Sequence, residues 1–228
     1  MVKAFFIALG LSVNLLAYNS GIEIGNISFE SIHSDILHGS GKSVEKQFLL
    51  KDFREIEVDS SIDITVKRGL TSKYIIVADD NLMDVIAIKH NGDKIEITDR
   101  RSYETNNRLH LTIITKKLNS FKAKGSATIE FIDLKEDTLK MYLDESITLK
   151  ASGYLYDLDM RIEGTCDVDL EQLFVKNAHI EMSESSDLTL QVEENLEAKV
   201  SDNASLVYSG TPTIRKEILD NGELEKND

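Results

Sequence analysis

The chain has 228 residues, of which 41% are hydrophobic and 29% charged, with one proline, one cysteine and no tryptophan. That mixture belongs to a globular chain long enough for a buried core, and it excludes a disordered tail and a disulfide framework within one chain. Forty acidic side chains against 26 basic ones give a net charge of −14, which repels nucleic acid and anionic membranes.

Residues 1–17, MVKAFFIALGLSVNLLA, start with a positive charge at Lys3 and continue as a mostly apolar run from Ala4 to Ala17. Their length and charge predict a secretory signal peptide, too short for a comfortable membrane span. The mature protein is therefore expected outside the cytoplasm, in the periplasm, on the outer surface or secreted, with no transmembrane segment. Cys166 lies too deep in the chain to make it a lipoprotein. Residues 18–38 are polar and irregular and are read as a poorly ordered leader.

Residues 39–117 read as a β-rich lobe. Phe53, Ile56 and Val58 mark one strand. Ile62, Ile64 and Val66 alternate with polar residues in a second, with Asp59-Ser60-Ser61 as the turn between them. Tyr74 to Ala78 is a third. Asn91-Gly92 is a strong hairpin signal. Ile95 and Ile97, then Leu109, Leu111 and Ile113, alternate in the same way. Asp80 to Asp84 is expected as a single helical turn. No sustained helical period appears, so helices are minor.

Residues 118–228 repeat themselves. GSATI (125–129), LDESI (143–147), GTCDV (164–168), ESSDL (184–188), DNASL (202–206) and DNGEL (220–224) form one unit that closes on an aliphatic residue. The spacings are 18, 21, 20, 18 and 18, a period that points to a solenoid. Two residues before each unit stands an apolar one: Ala123, Met141, Ile162, Met182, Val200 and Ile218. The second residue of each unit is short and polar, as a bend requires. Such coils are too short to bury their own apolar faces, but stacked about 4.8 Å apart they bury one another's. The expected fold is all-β: a single-stranded parallel β-helix, or β-solenoid, with a more irregular β-rich N-terminal half. An antiparallel sandwich is the rival, but it does not explain a polar bend at every second or third strand. Parallel stacking of Val168 on Leu188 decides between them. Charge divides the chain similarly, with 15 basic and 16 acidic side chains in residues 1–117 and 11 against 24 in residues 118–228.

Units of the GSGDI type at this spacing resemble the family described as "putative auto-transporter adhesin, head GIN domain", a bacterial domain of unknown function. HGSGKSVEKQFLLKDFREIEVDSSIDITVKRG (38–69) is similar to that family's opening, VADDNLMDVIAIKHNGDKIEI (77–97) to its middle and YSGTP (208–212) to a late segment. The resemblance covers residues 38–228, so 39–228 reads as one continuous domain. Only the units at 125 and 164 keep the leading Gly. The resemblance implies the fold and, through the family's name, adhesion; it carries over no catalytic residues.

Motifs for chemistry are sparse. HGSGKS (38–43) lacks the first Gly of a phosphate loop, whose place Ile36 takes. His33, His38, His90, His110 and His179 are too scattered for a metal centre. Cys166 falls in a small, inward column and is expected as a buried, inert thiol, with pairing between chains as the alternative. Asp167 and Asp187 share one position in adjacent coils and would stand about 5 Å apart on an outer face. Ca²⁺ would relieve their repulsion, and a retaining glycosidase uses carboxyls at about that separation. Because Thr128, Ser146, Ser205 and Glu223 fill the column elsewhere, a solvated acidic face is the simpler reading. The loop DRRSYETNNR (99–108) offers Arg100, Arg101, Tyr103 and Arg108, whose forks and ring suit sugars or acidic groups. A solubilising connection bonded to the protein's own acids is the alternative. The favoured function is an exported or envelope-associated binding or scaffold module, for adhesion or glycan recognition, with glycans or cell-surface proteins as partners and no cofactor. A polysaccharide lyase or hydrolase and a self-assembling structural oligomer are the other readings.

Overall fold

A computed structural model describes residues 36–227. The signal peptide expected over 1–17, and the leader as far as residue 35, lie outside the described residues. Among the described residues there is no helix, and hence none long and apolar enough to cross a membrane.

The strands are β1 Leu37–His38, β2 Ser43–Leu49, β3 Glu55–Asp59, β4 Asp63–Arg68, β5 Lys73–Asp79, β6 Ile86–Asn91, β7 Lys94–Asp99, β8 Tyr103–Glu104, β9 His110–Thr115 and β10 Ser120–Lys124. Four long strands follow, β11 Thr128–Leu143, β12 Thr148–Ile162, β13 Asp167–Met182 and β14 Asp187–Val200, and then β15 Ser205–Ser209, β16 Thr213–Ile218 and β17 Glu223–Lys226.

From β10 onward the rungs stack in parallel, as the repeats predict. Val168 lies opposite Leu188, and Leu188 opposite Leu206. The alternation of buried and exposed residues breaks at 152–153 and again at 156–157 in β12, which gives each coil three short faces. We call residues 148–151 of β12 the front, 153–156 the side and 157–162 the back. Ile129, Leu149, Val168, Leu188 and Leu206 form one buried column. Burying each is worth roughly 1.5–3 kcal/mol, so the ladder rather than any one coil holds the fold.

The bends explain the polar units. Their leading residues, Gly125, Glu145, Gly164, Glu184, Asp202 and Asp220, all have positive φ, from 52° to 99°. Backbone hydrogen bonds join consecutive bends, with the Ser146 N–H donating to the Gly125 carbonyl at 3.0 Å and the Thr165 N–H to the Glu145 carbonyl at 2.6 Å. This corrects one coil of the sequence alignment. Its unit is ESITL (145–149), since Leu149, not Ile147, lies opposite both Ile129 and Val168. Leu143, not Met141, lies opposite Ala123 and Ile162. Thr148 therefore replaces Ser146 in the Asp167 column. A slip of two residues leaves every side chain on its own face, so hydrophobic alternation is blind to it.

The stack continues into the N-terminal half, out of chain order. β3 and β4 lie parallel to β10 and β11, and β7 and β9 lie parallel beyond them. β9 inserts between β4 and the antiparallel β5. β6 pairs with β7 and β2 with β5, both antiparallel, to form the outer edge. The β6–β7 hairpin turns after Asn91, which faces Lys94. Residues 80–84 form hydrogen-bonded turns rather than helix, with the Leu82 N–H on the Asp79 carbonyl. β1, the described end of the leader, pairs with β8. One apolar core runs from Phe53 to Tyr208.

Charges on the coils are arranged rung against rung. Lys124 pairs with Asp144, Lys140 with Asp159, Lys150 with Asp169, Lys176 with Glu194 and Lys199 with Glu217. Each pair is individually weak, but the placement separates acids that would otherwise stack on one another.

Candidate functional site

Outward positions on the coils are mostly polar, as a stacked aliphatic core demands. The side face departs from this. In β12, Leu155 is fully buried while its neighbours Tyr154 and Tyr156 point outward, 41% and 45% exposed. In β13, Leu173 and Val175 are buried while Phe174 is 55% exposed. Strand alternation forces these directions, so three aromatic rings face solvent because aliphatic residues hold the core beside them.

Register lines these residues up. Lys135, Tyr154, Phe174 and Gln191 occupy one column on four successive rungs. A groove follows that column, lined by Tyr154, Phe174, Gln191, Glu193, Gly210 and Thr211, with the buried Val175 and Val192 at its floor. Tyr156 lies two residues along its strand from Tyr154, about 6.6 Å. The Lys176 ammonium sits 4.7 Å from the centre of the Tyr156 ring and 3.1 Å from Glu194. The hydrogen bond to Glu194 raises the Lys176 pKa. At the corner with the back face, Asn195 donates to Asn177 at 2.7 Å and Asn177 to Asp157 at 2.9 Å. Gly153 allows the corner ahead of Tyr154, because a Cβ there would stand 2.1 Å from the Leu134 carbonyl oxygen at a φ of +128°. The result is a strip of exposed aromatic side chains with amide, carboxylate and hydroxyl groups beside it.

The residues singled out from sequence lie elsewhere. Arg108 donates to Asp63 at 2.6 Å. Tyr103 pairs with Leu37 in the β1–β8 bridge and packs against the core. Burial pushes its phenol up to about 12. Arg100 and Arg101 are exposed and form no ion pair among the described residues. The loop's Thr105 and Asn107 both donate to the buried Asp79, Thr105 at 2.7 Å. Those hydrogen bonds, Asn107 first, lower the Asp79 pKa.

HGSGKS fastens the same corner. The Ser40 hydroxyl donates to Asp80 at 2.6 Å and the Gly39 N–H to the Glu104 carbonyl at 2.8 Å. A Cβ on Gly39 would meet the Asp79 carboxylate at 2.0 Å. Asp167 and Asp187 do stand side by side, both exposed, between Thr148 and Ser205. No cluster of three metal-ligating side chains forms among the described residues. Cys166 is buried, and burial raises its thiol pKa.

A family model described as "Putative auto-transporter adhesin, head GIN domain" matches residues 52–212. The chain belongs to the head GIN domain family. The solved structures that this head GIN domain resembles include a "putative adhesin" from Bacteroides fragilis, with a TM-score of 0.67 and 16% identity over 84% of this chain and 100% of that one. A "putative lipid binding protein" from Parabacteroides distasonis has a TM-score of 0.51 and 15% identity, over 84% of this chain and 99% of that one. At such identities the likeness is one of fold. No curated protein matches.

The aromatic strip was visible in the sequence only as an exception. Tyr-Leu-Tyr (154–156) and Leu-Phe-Val (173–175) place rings at positions where the rest of the repeat carries polar groups.

Proposed function

We propose that this head GIN domain is an exported surface-recognition module that binds carbohydrate on the side face of its solenoid, without turning it over. The observation that carries the reading is the exposed column of Tyr154 and Phe174, flanked by Tyr156, Gln191 and Glu193. Flat rings cover the apolar face of a sugar, and amide and carboxylate groups take its hydroxyls. On this face the large exposed apolar side chains are the three aromatics, while Leu155, Val175 and Val192 are buried. A lipid- or protein-docking face would be widened by exposed aliphatics, so the composition favours sugar. The family's name and the adhesin-named structural relatives are in keeping with recognition.

Glycan arrays probed with the protein test this. Tyr154→Ala and Phe174→Ala are each expected to weaken binding roughly tenfold, about 1.4 kcal/mol, with the fold intact by circular dichroism. Asp167→Asn/Asp187→Asn is expected to leave binding unchanged, with no new reducing ends released by any variant. Array binding that survives in Tyr154→Ala/Phe174→Ala, or sedimentation with phospholipid vesicles and no array signal, would falsify the assignment.

A further inference from the structure

We infer that the ligand is an extended, uncharged glycan chain that lies along the solenoid axis and is bound through its interior, one sugar per rung. This rests on the carbohydrate reading of the side face. The groove has a direction. Its column runs Lys135, Tyr154, Phe174, Gln191, one residue from each of four successive rungs. Gly210 and Thr211 extend the groove past Gln191. Four rungs span about 14 Å, longer than a single sugar. The rung spacing of about 4.8 Å is close to the advance per sugar in an extended β-linked chain. A straight chain laid along the axis therefore meets a phenol, a phenyl ring and an amide at successive units.

The groove leads onto exposed residues at both ends, Lys135 on one side and Gly210 and Thr211 on the other. Such a trough accepts the middle of a chain as readily as its terminus, unlike an enclosed pocket. Charge selects further. Glu193 lies in the groove, Lys176 is held by Glu194, and the cation of the column, Lys135, stands beyond the groove lining. Residues 118–228 carry 24 acidic against 11 basic side chains, a field that repels uronates and sulfated sugars.

The test is an array of size-graded oligosaccharides, disaccharide to octasaccharide, in gluco-, manno-, xylo-, chito- and galacturono-series. At least one neutral series is expected to bind, with affinity rising roughly tenfold from disaccharide to tetrasaccharide and then levelling off. The galacturono-series is expected to stay silent. Binding independent of length, loss of binding when the non-reducing end is capped, or preference for galacturonates overturns the axial inference and leaves the carbohydrate reading standing. Silence across every series overturns both. Gln191→Ala separates the two in a second way. It should abolish the gain between disaccharide and trisaccharide, since the third sugar is the one that meets the amide, and an equal loss at all lengths would contradict an axial chain.

Discussion

The coils from residue 120 onward and the cap formed by residues 36–117 share one core but are fastened differently. In the coils every rung offers the same inward column and the same bend, so each neighbour is held by contacts that recur along the stack. In the cap the rungs lie out of chain order, and single polar contacts add to their strand pairing: Asp79 with Thr105 and Asn107, Ser40 with Asp80, Arg108 with Asp63. A periodic wall spreads the loss of one contact over many equivalents, whereas a cap that also depends on unique contacts is more sensitive to the loss of one. The aromatic strip sits on the periodic part, where the same contacts recur from rung to rung.

The largest expected effect lies where the two regions meet. Phe121 faces Ile56 of the cap on one side and Met141 of the coils on the other, and its ring packs edge-on against Phe131 at 4.8 Å. Phe121→Ala should cost roughly 3–5 kcal/mol. If the junction couples the regions, the variant's denaturant unfolding should split into two steps, with the cap melting first. A single unsplit transition would show that the regions hold together without it.

A smaller effect tests the cap alone. Asp79 is held ionised by two donors, and its pKa is lowered. Its contribution is fully present above the ordinary aspartate value of about 3.9 and is lost as pH falls through the depressed value. Asp79→Asn would set an amide N–H₂ against donors. It should lower the melting temperature by a constant amount between neutral and mildly acidic pH, less than Phe121→Ala does. The gap should close below the ordinary aspartate range. A gap that widens in acid would contradict the assigned charge state.

This contrast also explains what could be read in advance. The inward columns were legible because a strand's period of two, broken at fixed intervals by a polar bend, repeats often enough to be seen. The two-residue slip at Leu149 was not, since it moves no side chain to another face; only the likeness of ESITL to ESSDL (184–188) marks it. The insertion of β9 between β4 and β5 joins residues more than thirty positions apart, and no local pattern encodes such pairing. The composition of the Arg-rich loop suggests a binding site, and within it Thr105 and Asn107 bond Asp79. The aromatic strip is not evident from sequence because outward aromatics look like ordinary strand formers until the inward residues beside them are known.

The smallest effect concerns the bend itself. Glu184 leads its bend at a φ of 65°, a left-handed conformation that costs a residue bearing a Cβ roughly 1–2 kcal/mol. Two of the six leading positions are glycine, which relieves that strain but adds freedom to the unfolded chain, an offset of roughly 0.5–1 kcal/mol. Glu184→Gly should therefore stabilise the protein by up to about 1 kcal/mol, or about 2–4 °C in melting temperature. The backbone bond from the Asn203 N–H to the residue-184 carbonyl, 2.8 Å, needs no side chain and should persist in the variant. An unchanged or lowered melting temperature would mean that the Glu184 side chain stabilises the bend by at least as much as its conformation costs. The bend would then be held by a side-chain contact of its own, and the distinction from the cap would be one of degree.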